Sequence, residues 1–358
     1  MGAFFSNGVS EFSAQERIVI VEPNWLGDVL FSTPAIRAVR QKHPGAFITA
    51  LVVPRCKTLL LGNNYLDEVL ALDEGIRYKG LSGKMRLVRD LRIRRFSAAY
   101  ILRPSLTRTL CLWLAGVKRR TGFYTGKTGF LLTEKVAYPK DRMHRADIYY
   151  YLIAGTRIPE GKRHCDLFVS DEDRAFIEDF LKKHGLGQRR ALVSLHVGGN
   201  WGPKRWPKEN FGRLIRVLKE KYEADVVLSG SYADHALADE IAGLSGVHPF
   251  IACGLTTLKQ AAILFQRSQV VISADSGPLH LAAAAGARCL SLYGPTSPEL
   301  TGPLGRQEIP VLRAPDLNCE TPCYNKECQD NICMRSISVD QVVEELDSRG
   351  WLKPEAKK

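Results

Sequence analysis

Asp28 stands in the stretch NWLGDVLFSTPAIRAVR (Asn24–Arg40), directly after the apolar run RIVIVEP. A carboxylate at the end of a buried strand has two uses. It takes a proton as a general base at the mouth of a cleft, or it caps the local turn by accepting backbone N–H groups. The residues alone leave both open, with Gly27 read as a tight turn and Thr33-Pro34 as the start of the following helix. A second stretch, HVGGNWGPKRWP (His196–Pro207), sets Gly198, Gly199 and Asn200 ahead of the cations Lys204 and Arg205. Flexible backbone beside two cations suits a diphosphate. A third, VVISADSGPLHLAAAAG (Val270–Gly286), ends a strand at Asp275 and opens a helix at Ser276-Gly277-Pro278. The free N–H groups there attract a phosphate or a sugar hydroxyl. Asp275 or Ser276 serves equally as a plain helix cap, and His280, one turn in, reads as an interior histidine. SLYGPTSPEL adds a further strand followed by a Gly-Pro-Thr turn. Together these strand ends point to a nucleotide-diphosphate donor. Neither GxxxxGK[ST] nor GxGxxG occurs, which removes support for a P-loop NTPase or an ordinary dehydrogenase.

Such strand ends need a parallel sheet behind them. RIVIVEP, AFITALVV, EVLALD and AAYILRP read as strands rich in Val and Ile, with helical patterns such as PAIRAVRQKH between them. Strand–helix alternation implies a parallel sheet, whose ligands sit outside the carboxyl ends of its strands. The pattern pauses near Asp166. SDEDRAFIEDFLKKHGLG then reads as a connecting helix, capped by Ser170 and closed by Gly185. Alternation resumes with RALVSLHVG, ADVVLSGS, PFIACG, VVISADSG and RCLSLYGP, and helices open at Pro207, Tyr232, Thr256 and Gly277. The expected class is α/β. Rossmann-like domains at 1–165 and 190–335 are joined by a connecting helix at 166–189, and a terminal helix and tail follow at 336–358.

The balance of 50 Lys and Arg against 38 Asp and Glu, a net charge of +12, favours an anionic partner. Aromatics do not interleave with the Lys/Arg clusters as base-stacking platforms would, so nucleic acid is not the expected partner. No apolar run approaches the roughly 18 to 20 residues of a spanning helix. The N-terminal MGAFFSNGVSEFSAQER lacks an export pattern and is read as a polar tail on a cytoplasmic protein. Nine cysteines without an export signal read as reduced thiols. Cys319, Cys323, Cys328 and Cys333 crowd into CETPCYNKECQDNIC, but their x3, x4, x4 spacing matches neither paired CxxC nor a ferredoxin run. No metal is assigned to them.

NWLGDVLFSTPAIRAV, GPKRWPKENFGRL, SADSGPLHLAAAAG and LYGPTSP, in this order over nearly the whole chain, resemble the signature stretches of the bacterial lipopolysaccharide heptosyltransferases, glycosyltransferase family 9. CETPCYNKEC resembles a feature of the family's type II members. The resemblance implies a GT-B fold, two facing Rossmann-like domains with the active site in the cleft between them. It implies inverting transfer of L-glycero-D-manno-heptose from ADP-heptose to the lipopolysaccharide inner core, with no cofactor and no required metal. For type II members the acceptor is a heptose on Kdo-lipid A. By motif position Asp28 is the implied base and Lys204 the contact to the donor diphosphate. Gly198, Gly199, Asn200, Arg205, Asp275, Ser276, Gly277 and His280 are the expected donor-binding residues, with Ser229, Gly230 and Asp234 near the adenosine. Ala274 departs from the pattern, since many relatives carry Asn before that Asp. Arg92, Arg94, Arg95, Arg103, Arg108, Lys118, Arg119 and Arg120 suit the acceptor's Kdo carboxylates and lipid A phosphates through arginine's planar fork. As a set they also suit peripheral contact with the anionic face of the inner membrane. Asn24, Trp25, Arg103 and Arg120 are the expected acceptor contacts. A different heptose acceptor or a different nucleotide-sugar donor is the competing reading.

Overall fold

The computed structural model describes residues 15–353 apart from 200, 315–318 and 326. The N-terminal tail, the final residues of the C-terminal tail and the expected Asn200 contact therefore lie outside the described residues. Strands β1 (Arg17–Val21), β2 (Phe47–Val52), β3 (Glu68–Ala71), β4 (Ala98–Ile101), β5 (Arg119–Phe123) and β6 (Glu134–Val136) pair in parallel in the order β3-β2-β1-β4-β5-β6. Strands β7 (Leu192–His196), β8 (Asp225–Ser229), β9 (Phe250–Ile251), β10 (Val270–Ala274), β11 (Cys289–Tyr293) and β12 (Val311–Arg313) form a second parallel sheet, ordered β12-β11-β10-β7-β8-β9. Both halves wind the same way.

In β1, Ile18 and Ile20 join one buried cluster while Val19 and Val21 join another on the opposite face. Burial on both faces explains why the central strands read as unbroken apolar runs. The sequence reading missed β5, β6 and β12. RRTGF opens on two cations, and EKV and VLR are short and lie at sheet edges, where polar composition is tolerated.

Helices α1 (Leu26–Lys42), α2 (Lys57–Leu60), α3 (Gly80–Ile93), α4 (Leu106–Leu114) and α5 (Arg145–Ala154) surround the first sheet. The connecting helix α6 (Asp171–Lys183) forms as expected: Ser170 Oγ accepts from Asp173 N at 3.1 Å, and Gly185 follows at φ 64°. It packs on the second half through Ile177, Phe180 and Leu181. Helices α7 (Lys208–Tyr222), α8 (His235–Ser245), α9 (Leu258–Arg267), α10 (Gly277–Ala284), α11 (Pro298–Thr301), α12 (Ile332–Arg335) and α13 (Val339–Ser348) complete that half. No helix among the described residues is long and apolar enough to cross a membrane.

The expected start of α1 is corrected. The helix opens at Leu26, so Asp28 lies in its first turn and Pro34 in its interior. Proline lacks the N–H that would reach the Leu30 carbonyl, and Thr33 Oγ1 donates to that oxygen at 2.7 Å instead. Gly27 is not a turn residue either. A Cβ there would stand 2.7 Å from His280 Cδ2, and a Cβ on Gly277 would stand 2.8 Å from Leu26 Cδ2. These two glycines let the N-termini of α1 and α10 meet. One buried core consequently runs through both halves, joining Phe31, Ala35 and Leu152 to Leu279, Leu281 and Tyr293. His144 Nε2 adds a buried hydrogen bond of 2.9 Å to Gly302 O across the same seam. Burial lowers the His144 pKa to about 4, so the ring is neutral: Nδ1 accepts from Ala146 N at 3.1 Å, which leaves Nε2 to carry the donated proton.

Candidate active site

Residues that follow the carboxyl ends of β1, β4, β7, β8 and β10 line one cleft of 1430 Å³. Asp28 enters it from the first half. The Tyr149 hydroxyl of α5 donates to Asp28 Oδ1 at 2.9 Å, and Arg145 Nε lies 3.6 Å from the same oxygen. Among the described residues no backbone N–H bonds to this carboxylate, so it does not act as the turn cap that the sequence left open. The helix N-terminus favours its negative charge. Burial first, and then the Asp28 charge, push the Tyr149 phenol well above its ordinary range, which keeps it a donor.

The second half supplies a fixed anion and a cation. Asp275, at the end of β10, receives Lys204 Nζ on Oδ2 at 2.5 Å and the Thr296 hydroxyl on the same oxygen at 2.6 Å. The Tyr293 hydroxyl lies 3.2 Å and His280 Nε2 3.3 Å from Oδ1. Burial alone would raise the Asp275 pKa. The hydrogen bond and charge of His280, then those of Lys204, outweigh it and hold the group well below the usual carboxylate range. Lys204 also lies 5.4 Å from the centre of the Trp201 ring. Ser276 caps α10, accepting from Leu279 N at 3.4 Å.

The glycine loop after β7 is shaped by Asp234. Its carboxylate accepts from Ser231 N at 2.8 Å and Ser231 Oγ at 2.6 Å, and a Cβ on Gly198 would stand 2.5 Å from it. Arg205 braces the loop from the other side by donating to Gly199 O. Ser229, Gly230 and Asp234 line the cleft beside His196, whose pKa burial lowers to about 4, so its imidazole is neutral. All the described donor-site residues expected from the sequence meet in this one cleft.

The acceptor expectations fare differently. Trp25, half exposed, and Arg103 line the cleft. Asn24 does not: its Oδ1 accepts from Arg108 at 2.8 Å, and its carbonyl accepts from Arg55, whose guanidinium lies 4.6 Å from the Trp25 ring centre. Arg120 is also corrected. It is buried in β5 and donates to the carbonyls of Leu131, Val117 and Lys118, so it serves the fold. Arg108 pairs with Glu74, Arg119 with Glu16, and Arg94 with Glu68, away from the cleft. Sequence reasoning missed Tyr149, Arg145, Arg55 and His196. The first two lie in RADIYYYLIAG, an apolar helix more than a hundred residues from Asp28 with no local signal of chemistry. Cys319, Cys323, Cys328 and Cys333 line a separate pocket of 330 Å³. Among the described residues no group of three or more His, Cys, Asp or Glu gathers as a metal site.

The family model described as glycosyltransferase family 9 (heptosyltransferase) matches residues 84–332. Lipopolysaccharide heptosyltransferase 2 of Escherichia coli (strain K12) is 27% identical over 305 residues, 81% of this chain and 86% of that protein. The solved structure of E. coli ADP-heptose lps heptosyltransferase II is 27% identical with TM-score 0.75, covering 93% of this chain and 98% of that one. The glycosyltransferase family 9 structure from Veillonella parvula DSM 2008 reaches TM-score 0.80 at 22% identity, covering 93% and 96%. Two parallel sheets with the intervening cleft form the GT-B arrangement.

Proposed function

The chain belongs to glycosyltransferase family 9, the heptosyltransferases, and on that premise we propose that it moves L-glycero-D-manno-heptose from ADP-heptose to heptosyl-Kdo-lipid A. The observation that carries this reading is the pairing, within one cleft, of a tyrosine-held carboxylate from one half with a lysine–aspartate centre from the other. Inversion needs those two parts. The acceptor hydroxyl oxygen attacks the anomeric carbon from the face opposite ADP, the bond to the diphosphate breaks, and the hydroxyl proton passes to Asp28. Negative charge builds on the departing ADP, and a preorganised cation there is worth roughly 10²–10³ in rate.

Lys204 suits that task without leaving its partner. An ammonium has three donors, Asp275 takes one, and the others remain for the diphosphate. The N-terminus of α10 at Gly277 and the Gly198–Gly199 backbone add N–H groups. Two buried polar atoms of the cleft, Trp201 Nε1 and His280 Nδ1, have no hydrogen-bond partner among the described residues. An unpaired buried group costs about 1–3 kcal/mol, which a polar ligand relieves. Ser229, Gly230 and Asp234 are the proposed adenosine surroundings, and Trp25 and Arg103 the proposed acceptor contacts. The enzyme would work in the cytoplasm, where a lipid-linked acceptor brings it to the inner membrane.

Incubation with ADP-heptose and heptosyl-Kdo-lipid A, followed by mass spectrometry of the lipid, tests the reading. A gain of one heptose supports it. Transfer only to a different acceptor, or only from a UDP- or GDP-sugar, overturns the assignment of substrates.

A further inference from the structure

Helix α4 exposes apolar residues where a surface helix would ordinarily carry polar ones. Its inward side holds Arg108, Thr109, Cys111 and Leu112, while Leu106, Leu110, Trp113 and Leu114 face solvent. Their i, i+4, i+7, i+8 spacing makes a single stripe. Helix α3 packs beside α4 and leaves Leu81 81% and Ile93 67% exposed, and the Gly129–Leu131 turn, also against α4, leaves Phe130 75% exposed. These elements cover the face of the first sheet opposite α1 and α5. Scattered apolar residues on a surface need no account, but an adjoining set of this size marks a binding face.

Cations accompany the apolar residues. Arg86, Arg89 and Arg92 recur along the exposed side of α3, and Lys118 follows α4. Arg86, Arg89 and Arg92 have no carboxylate partner among the described residues. Asp90, on the same helix, is already held by Arg77 and the Tyr78 hydroxyl. Arg92 ties the two helices together by donating to Leu114 O.

We infer that this face of α3, α4 and the Gly129–Leu131 turn docks on a bilayer that carries anionic lipid headgroups. The inference deepens the proposed function and rests on it for the lipid-linked acceptor. Such a surface matches both halves of the pattern: leucines and Phe130 enter the acyl boundary, Trp113 sits at headgroup level, and the arginines meet phosphate. A second copy of this chain fits poorly, since a two-fold contact would bring one cationic face against another. An acidic protein would meet the cations and leave the apolar stripe in water. Placement agrees as well. Helix α4 begins three residues after Arg103, which lines the cleft, so the docked face adjoins the acceptor half of the site.

The test sediments the full chain with vesicles of phosphatidylcholine, with and without phosphatidylglycerol, at low and high salt. The wild-type chain should partition onto the phosphatidylglycerol vesicles, and salt should weaken this. Leu110→Asp combined with Trp113→Asp, and separately Arg86→Ala combined with Arg89→Ala, should each lower partition by roughly tenfold or more. Both variants should keep the melting temperature and the turnover on a water-soluble, delipidated acceptor. The inference is overturned if wild type ignores anionic vesicles or if the arginine variant binds them as wild type does. It is also overturned if light scattering shows the apolar variant converting a dimer into monomers. Should the apolar variant fail to fold, the arginine variant decides alone. Loss of turnover on every acceptor with vesicle binding intact would instead count against the proposed function.

Discussion

Asp28→Asn separates chemistry from architecture at the candidate base. The amide keeps the size of the carboxylate, and its oxygen still accepts the Tyr149 hydroxyl that now lies at 2.9 Å. What disappears is the negative charge. The Arg145 contact spans 3.6 Å between side chains 39% and 22% exposed, so it is a solvent-screened pair worth about 0–1 kcal/mol. The favourable position in the first turn of α1 adds about 0.3–1 kcal/mol. Loss of stability therefore stays near or below about 2 kcal/mol. Loss of a general base costs at least about 10²-fold in turnover, equivalent to about 2.7 kcal/mol of barrier. Initial rates by mass spectrometry, ADP affinity by calorimetry and a thermal melt measure the three quantities separately. The expected outcome is turnover down by 10²-fold or more, with ADP affinity nearly unchanged and a small shift in melting temperature. Near-normal turnover, or a loss that merely tracks the fraction unfolded, would refute the assignment and return Asp28 to a structural role.

Further outcomes follow from the same geometry. Lys204→Ala should lower kcat by roughly 10²-fold while weakening donor binding less, because the cation matters most as charge develops on ADP; a raised KM with unchanged kcat would mean uniform binding. Burial pushes the Glu22 carboxyl up to about 8 against the opposing Ser32 hydrogen bond, so it is neutral in the folded chain at pH 7. With the folded value above the unfolded 4.5, its contribution is fully present below about 4.5 and is lost as pH rises through about 8. Glu22→Gln, neutral throughout, should gain on wild type by about 1.4 kcal/mol per pH unit within that window, read from paired melts, and a constant offset would contradict the buried neutral acid. Metal analysis of the purified protein should find well under one equivalent of zinc or iron; a stoichiometric metal whose removal unfolds the chain would overturn the metal-free reading of the cysteine pocket.

What the sequence disclosed follows from how far each signal reaches along the chain. The central strands announce themselves because they are buried on both faces, and helix α6 because its cap and closing glycine lie within its own stretch. Strand ends then point to Gly198, Lys204, Asp275 and Gly277, since in parallel sheets chemistry collects there. Contacts between distant elements leave no such trace. Arg120 in VKRR reads as an acceptor contact, yet strand β5 buries it under three carbonyls. Tyr149 carries no local signal of chemistry, yet its hydroxyl is the sole hydrogen-bond donor to Asp28 among the described residues. Pro34 reads as a helix start because proline favours that position, whereas it lies inside α1, where the Thr33 hydroxyl, one residue before it, bonds the carbonyl the proline leaves free.

The two most distinctive stretches, NWLGD and DSGPLH, prove to be one contact rather than two separate signals. His280 approaches the Asp275 carboxylate at 3.3 Å and packs 4.6 Å from the Phe31 ring, so it is held from both halves. Gly27 is the surface it rests on, and Leu26 rests in turn on Gly277. Asp28 is the next residue along α1. Its position relative to the Lys204–Asp275 centre is therefore set by close packing at the seam, reinforced by the His144 bond to Gly302 O. Displacement of about 1 Å between reacting groups can cost 10²-fold in rate, so a side chain at either glycine would reach the cleft through this packing. The placement of the candidate base against the Lys204–Asp275 centre is thus a property of the interface between the halves, and neither half holds it alone.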